Sequence, residues 1–554
     1  MKNKALIWSL AGISAVLMSL PFLVPHCGFI ALFALVPLLC AERIATQAGL
    51  KHFFWVHYAC FVVFNALTTF WVCNATVGGG IFAVVANAFQ MSVVFAIFRL
   101  SRKYFKGSLP YIILMCTWMA WEKYYLDSAQ ISWPWLVFGN AFARSIKCIQ
   151  WYEYTGTLGG SLWVWASNLG IFGMMVALSD GSFFGKWNIK AKIASVAGLV
   201  AILIGPFIWS AVIWNRYEET DDKLEVFIAQ PNIDPYHKFE FLTQKQQNEI
   251  LLGQIEEGLA DRKNDSTATS PLLILAPETF TGDAYILNGQ LQSSTLVKFI
   301  DFLQDYPDVN IMFGASSYEY INSALAPSKT ARKAGDKTWV ESHNSALMTD
   351  RSGRLGIFHK SKLVVAVEMT PYPGFFCKID DLLGGVMGRC IGQKEISNLN
   401  VAGSDGSKIP VGPVICYESI YGNYCRGYIE KGAKVLAIIT NDAWWKDTPG
   451  YKQHLSYASL RAIETRRDIA RCANTGVSAF IDQKGRILEK SHWWQKETMR
   501  GYVNLNTKKT FFVQYGDIIG RVCLFLSLMF SLALIVRVIT SRSSASPRSP
   551  RKAK

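Results

Sequence analysis

The sequence predicts a multi-pass α-helical membrane bundle of eight spans with an α/β domain inserted before the last span. Three observations carry this. Between Met1 and Trp214 the apolar residues form repeated blocks near the roughly 17 to 25 residues that cross a hydrocarbon core, with charges largely confined to the gaps. From Glu225 short apolar strands alternate with polar helical stretches, and after them one further apolar block closes the chain.

The spans are placed at approximately 5–22, 25–41, 52–72, 77–98, 109–125, 158–179, 192–214 and 514–538. Such blocks cross lipid as helices because every backbone polar group is then satisfied internally. The first two are parted only by a short Pro/His/Cys/Gly stretch, so they form either a tight hairpin or one long broken element. Leu6 to Val24 alone has the look of a signal peptide, but the spans behind it mark a retained first helix or signal anchor. The segment 126–157 is rich in aromatics, with Trp133, Trp135, Trp151, Tyr152 and Tyr154. Amphipathic rings favour the headgroup level, so an interfacial belt is expected there, with guidance of a lipid as the alternative.

In the inserted domain, "LEVFIAQ", "LLILAPE", "VNIMFGAS", "NSALMTD", "GPVICYE", "VLAIITN" and "VSAFID" read as strands. They are apolar along their length, which argues for sheets covered on both faces. Helices are expected within 240–263, 290–304, 421–431 and 453–469, and a solvated loop at 322–337. The domain division is 1–214 bundle, 224–505 catalytic domain, 514–538 final span and 539–554 basic tail.

The formal charge of +15 does not point to nucleic acid, because the basic residues form no continuous domain. They sit in short gaps, as with Arg99, Arg102, Lys103 and Lys106, or Lys186, Lys190 and Lys192, and in the tail after Ile539. Positive loops of this kind are retained in the cytoplasm. With an even span count both termini lie there, and 126–157 and 215–512 lie on the other side. The 12 cysteines make no disulfide framework: most lie in or between the apolar blocks, and no CxxC pair appears. His454 beside Gln453 makes no ligand cluster, so neither metal nor organic cofactor is expected.

Chemistry requires a placed nucleophile, an activating base and a charge stabiliser. Cys416 follows the strand "VGPVI", Glu278 ends "LLILAPE", and Lys360 lies in "GIFHKSKL". A sheet brings distant strand ends to one edge, and this set permits acyl transfer. A carboxylate takes the thiol proton, the thiolate attacks a carbonyl, and the ammonium stabilises the oxyanion. Spacing alone does not select this triplet from the domain's other cysteines and charges.

The motifs "APETF", "HKSKLVVAVE" and "ICYES", followed by "TNDAWWKDTPGYKQHLSYASLRAIETRRDIARCANTGVSAFID", resemble the carbon–nitrogen hydrolase (nitrilase) superfamily. With the preceding spans, nearly the whole chain is similar to the bacterial apolipoprotein N-acyltransferase family. The resemblance implies an αββα nitrilase-like sandwich with Glu278 as base, Lys360 as oxyanion stabiliser and Cys416 as nucleophile. It makes Glu368, Tyr417 and Glu418 supporting residues. Matching positions downstream include Trp444, Gln453, His454, Arg461, Glu464, Arg471, Asn474, Gly476 and Ser478. One departure stands out: the family has Leu-Val-Pro-Phe-Gly-Glu after its lysine, where this chain has Leu363-Val364-Val365-Ala366-Val367-Glu368. That puts the local turn in question.

The implied reaction takes an acyl chain from a glycerophospholipid onto Cys416. It then passes the chain to the α-amine at the N-terminal cysteine of a diacylated apolipoprotein, in a bacterial inner membrane and with no obligatory protein partner. Both substrates are anchored in lipid, so an apolar entrance is expected among Phe375, Phe376, Leu382, Leu383, Met387 and Trp444. The alternatives are a membrane-tethered amidase whose thioester is resolved by water, and a noncatalytic transporter or scaffold.

Overall fold

The computed structural model describes residues 2–544 except 237, 239, 264–269, 383, 384, 386 and 404. Leu383 of the expected entrance and most of the basic tail therefore lie outside the described residues.

The N-terminal part comprises α1 (Lys2–Leu23), α2 (Val36–Gln47), α3 (Phe54–Thr69), α4 (Val77–Tyr104), α5 (Leu109–Asp127), α6 (Thr157–Ser179) and α7 (Ile189–Arg216). Between α1 and α2 the chain reverses through His26, at φ +64°, and a 3₁₀ turn over Gly28–Leu32. Ser14 Oγ then donates to Ala34 O at 2.6 Å, so of the two arrangements left open by the sequence the hairpin is the one formed.

Among the described residues seven helical segments are long and apolar enough to cross a membrane, which corrects the expected eight. The one that falls short is α5, whose 19 residues include Glu122, Lys123 and Asp127 near its end. Those ionisable groups dilute its apolar character. It nevertheless runs from one end of the bundle to the other. At its start the Tyr111 ring lies 5.2 Å from that of Phe98 on α4, and at its end the Asp127 carbonyl accepts from Lys362 Nζ of the inserted domain at 3.1 Å. The far end of the bundle is basic. There Glu42 of α2 pairs with Arg102 and, at 3.4 Å, with Arg99 of α4.

The inserted domain holds two sheets. The first runs β15 (Glu497–Asn504), β1 (Lys223–Gln230), β2 (Leu272–Leu275), β5 (Val309–Asn322), β3 (Thr281–Leu287), β4 (Gln290–Gln292). On β5 it also carries β7 (Thr338–Asp350), which pairs with β6 (Arg332–Lys333) and β8 (Gly356–His359). The short β6 sits within the segment expected to be a loop. The second sheet runs β14 (Ile487–Lys490), β13 (Ala479–Ile481), β12 (Ile469–Ala473), β11 (Val435–Thr440), β10 (Lys408–Ile415), β9 (Leu399–Ala402).

Strand periodicity sets the layers, since alternate side chains face opposite ways. From β1, Val226 and Ile228 join a core shared with Val414, Ile438 and Ile469 of the second sheet. Phe227 and Ala229 face the other way, onto Leu251 and Ile255 of α8 (Gln244–Gly258) and Phe299 of α9 (Ser294–Leu303). Beyond α10 (Pro373–Leu382), α11 (Gly422–Glu430) and α12 (Pro449–Thr465) cover the second sheet, and α13 (Ile518–Ser544) returns the chain to the bundle.

Helix α12 is buried on nearly all sides because it lies between the second sheet and the bundle. Its polar residues are therefore matched across that junction, as buried charges require. Gln453 Oε1 accepts from Trp135 Nε1 at 2.6 Å, and Glu464 Oε1 accepts from the Thr157 amide at 2.7 Å. Arg461 donates to Thr157 Oγ1 at 2.8 Å and to Ile420 O at 2.6 Å. Burial sets three of the five rings apart from the expected belt, while Trp133 is half-buried and Tyr154 is exposed. Trp135 is enclosed by Trp71, Trp445, His454 and Tyr457, and Trp151 and Tyr152 are also buried. These rings form the apolar seal between bundle and domain.

Candidate active site

Parallel strands align their carboxyl ends, and the predicted site residues sit at such ends. Glu278 follows β2, Cys416 follows β10, and Lys360 follows the short β8. The glutamate comes close to β5 only because residue 314 is glycine. A Cβ there would lie 2.5 Å from the Glu278 Cα.

Lys360 is 1% exposed, and its Nζ donates to Glu278 Oε1 at 3.0 Å and to Glu368 Oε1 at 2.8 Å. Burial alone would push this ammonium down, but the two carboxylates outweigh it and hold the lysine well above its ordinary range. It stays charged, which the role expected of it requires. Glu278 Oε2 accepts from the Asn441 amide at 3.1 Å, which fixes the carboxylate from its other side.

Cys416 has φ +49°, in the left-handed region that non-glycine residues occupy at a cost of roughly 1–3 kcal/mol. Such strain persists where surrounding contacts impose it. The Cys416 carbonyl is held by Ser419 Oγ at 2.8 Å and His454 Nε2 at 3.1 Å. Burial pushes the thiol well above its ordinary range and the Glu278 charge raises it further, while Lys360 opposes both. At rest Cys416 is thus a neutral thiol, which would have to surrender its proton to act as the expected nucleophile.

The supporting residues each have a place. Glu368 Oε1 accepts from Lys360, and its Oε2 accepts from the Val364 amide at 2.8 Å. The altered segment before it closes its turn without the family's proline or glycine. Ala366 takes φ +66°, and the Glu368 and Met369 amides donate to Val364 O at 2.8 and 3.1 Å. Glu418 is fully buried and accepts from the amides of Ser361 (2.7 Å), Lys362 (3.2 Å) and Ile415 (2.9 Å). It ties the lysine loop to the cysteine strand, and burial pushes its carboxyl up to about 7 against those donors. The Tyr417 ring stacks on Trp133 at 6.0 Å, and Tyr417, Ile420 and Tyr421 belong to the apolar core of the bundle. The residues after Cys416 are therefore seated at the junction with the bundle.

Of the expected entrance, Phe375 and Leu382 project from α10 at 63% and 87% exposure, and Phe376 and Met387 are half-buried. Trp444 lies elsewhere on the loop after β11, edge-on to Tyr236 at 5.1 Å.

Sequence reasoning missed Asn344, a neutral amide in mid-strand. Its Nδ2 donates to Glu278 Oε1 at 2.8 Å and Glu368 Oε1 at 2.7 Å, bridging the two carboxylates that flank Lys360. It also missed Asp442, whose carboxylate lies 2.9 Å from His454 Nδ1 and 2.6 Å from Arg471 Nη2. Although burial opposes it, Arg471 and His454 hold Asp442 well below the usual carboxylate range. Cys416, Asp442 and His454 bring one ligand atom each within 4.8 Å of one another. The histidine and aspartate are already committed to protein partners and a guanidinium stands among them, so this is a network that braces the cysteine turn rather than a cation cradle.

Fold and site together define a carbon–nitrogen hydrolase-type domain seated on a membrane bundle. The family model "Carbon-nitrogen hydrolase" matches residues 273–510, and "Apolipoprotein N-acyltransferase N-terminal domain" matches residues 14–170. The apolipoprotein N-acyltransferase of Chlorobaculum tepidum is 27% identical over 521 residues, covering 92% of this chain and 93% of that one. That of Geobacter metallireducens is 24% identical over 526 residues, covering 93% and 92%. Among solved structures, Saccharomyces cerevisiae Nit3, a member of branch 10 of the nitrilase superfamily, matches at 14% identity and a TM-score of 0.35, covering 52% of this chain and 92% of that one. The chain is a homologue of the apolipoprotein N-acyltransferases along nearly its whole length.

Proposed function

We propose that the protein transfers an acyl chain from a membrane glycerophospholipid, through a thioester on Cys416, to the α-amine of the N-terminal cysteine of a diacylated apolipoprotein. The observation that carries this is the seating of the cysteine turn: Tyr417, Ile420 and Tyr421 pack into the bundle core, so the nucleophile stands where lipid-anchored substrates arrive. A soluble amidase has no need of that placement.

In the first half-reaction Glu278 takes the Cys416 thiol proton and the sulfur attacks the ester carbonyl. Lys360 Nζ donates to the oxyanion. The C–O bond breaks, the leaving alkoxide recovers the proton from Glu278, and lysophospholipid departs. In the second half the amine attacks the thioester, its proton passes to Glu278, and the C–S bond breaks. Cys416 leaves as thiolate and is reprotonated. Glu368 and Asn344 position Lys360 and Glu278, and Glu418 positions the backbone on either side of the cysteine.

The basic end of the bundle, with Arg43, Arg99, Arg102, Lys103, Lys106, Lys186, Lys190 and Lys192, favours the cytoplasm. The catalytic domain then stands on the periplasmic side of a bacterial inner membrane. In this arrangement α5 is the remaining pass, its ionisable end at the domain. Helix α10 lies near the membrane face, since the Tyr372 amide donates to Gln130 Oε1 at 2.7 Å. Phe375, Phe376, Leu382 and Met387 on and beside it make the apolar approach, with Trp444 a more distant contributor.

The test is purified protein with a defined glycerophospholipid and a diacylated cysteinyl peptide. One acyl mass should appear on the peptide with an equal amount of lysophospholipid, and an N-acetylated peptide should block it. Free fatty acid with unmodified peptide would make the protein a thioester hydrolase. Absence of any lysophospholipid would leave a noncatalytic membrane role.

A further inference from the structure

A cluster on the first sheet has no part in acyl transfer. The antiparallel register of β5 and β7 sets Glu319 opposite Glu341 and Ser317 opposite His343. Residues two apart share a face, so Glu319, Glu341 and His343 converge, each offering one ligand atom within 4.8 Å of the others. Like charges directly opposite on paired strands destabilise the pair. Among the described residues neither glutamate has a lysine or arginine partner in an ion pair; Glu319 is within 4 Å of His343 alone among basic groups there.

The histidine is built for another role. It is 7% exposed, and its Nε2 is buried without a hydrogen-bond partner, as is Glu341 Oε1. Its Nδ1 lies 3.0 Å from the Ile391 carbonyl. A carbonyl only accepts, so Nδ1 carries a proton, and Nε2 is the nitrogen left to face the carboxylates. A backbone carbonyl that fixes the other nitrogen in this way is the usual support of a metal-ligating histidine. The 3.8 Å from Nε2 to Glu319 Oε2 is too long for a hydrogen bond. It is close to the roughly 3.4–4.2 Å between two ligands that share an ion at about 2.1 Å each.

We propose that Glu319, Glu341 and His343 form a divalent-cation site, completed by water on its open side and best suited to zinc. One imidazole and two carboxylates match a borderline ion better than magnesium or calcium, which prefer all-oxygen sets. The ion would clamp β5 to β7 beside the acyl-transfer site. Asn344, the residue after His343, bridges Glu278 and Glu368, and the His343 ring stacks at 4.2 Å on His359, the residue before Lys360.

The test uses full-length protein in detergent, prepared without a polyhistidine tag, stripped with EDTA and re-equilibrated with zinc chloride. Bound zinc is measured by mass spectrometry and stability by thermal unfolding, in wild type, His343→Gln, Glu341→Gln and Cys416→Ala. About one zinc per chain and a zinc-dependent rise in Tm are expected in wild type and Cys416→Ala. Affinity should fall at least about tenfold, and the Tm rise should vanish, in the other two. Should the buried variants fail to fold, Glu319→Gln serves instead, since that side chain is 38% exposed. Zinc binding unchanged in these variants, or lost only in Cys416→Ala, would overturn the site. So would a wild type that neither binds zinc nor gains stability from it.

Discussion

Lys360→Met is expected to lower the transfer rate by at least about a hundred- to a thousandfold, the usual consequence of removing one oxyanion donor. The same change reaches stability. Glu278 Oε1 and Glu368 Oε1 both depend on the Lys360 ammonium, and Glu278 is only 7% exposed. Removing one member of a buried ion pair costs about 3–5 kcal/mol, because the remaining charge keeps its desolvation without its partner. Methionine preserves the bulk of the side chain, so the loss is electrostatic. Steady-state transfer and thermal unfolding on the same preparation check both effects. A variant that unfolds early yet retains transfer, once assayed well below its Tm, would deny the lysine its role at the oxyanion.

Glu278→Gln is expected to lower kcat by about a hundred- to ten-thousandfold, the range for a positioned general base. The Cys416 thiol should meanwhile move in the opposite direction. Burial is the main cause of its raised pKa, and the Glu278 charge adds to it while Lys360 opposes. Neutralising Glu278 removes the second contribution and leaves the third, so the thiolate fraction at a given pH rises. Alkylation of Cys416 by a small apolar maleimide at pH 8, mapped by peptide mass against the other cysteines, should be faster in Glu278→Gln than in wild type even as transfer collapses. If alkylation and transfer fell together, the carboxylate would not be raising the thiol as its placement requires.

Much of this was legible in the sequence, unevenly and for physical reasons. Membrane spans are read from length and apolarity, and seven of the eight expected coincide with apolar helical runs among the described residues, the second entered through a 3₁₀ turn. The count of eight failed at α5, where Glu122, Lys123 and Asp127 dilute the apolar run. The aromatic run 126–157 misled for a related reason: composition does not distinguish a ring at a headgroup from Trp135, buried between bundle and domain.

Within the site, Glu278, Lys360 and Cys416 were recognisable through their motifs and not through spacing, and the fold brings their strand ends together. Asn344 left no trace, since a neutral amide in a strand announces nothing until two carboxylates are found on either side of it. Gln453, Arg461 and Glu464 stood in the same motif run as His454 and Arg471. Only the position of α12 separates the former, which dock the domain on the bundle, from the latter, which brace the cysteine turn. The convergence of Glu319, Glu341 and His343 depends on a strand register that no linear pattern reveals.

Covalent capture of the acyl chain tests the central claim most directly. Wild type and Cys416→Ala are incubated with a defined glycerophospholipid in the absence of acceptor, and intact and peptide masses are measured with and without hydroxylamine. An acyl-sized increment on the Cys416 peptide, released by hydroxylamine and absent from Cys416→Ala, is the predicted result. Folded wild type that turns the lipid over while Cys416 stays unmodified, or a Cys416→Ala protein that transfers as fast as wild type, would contradict a thioester at this residue.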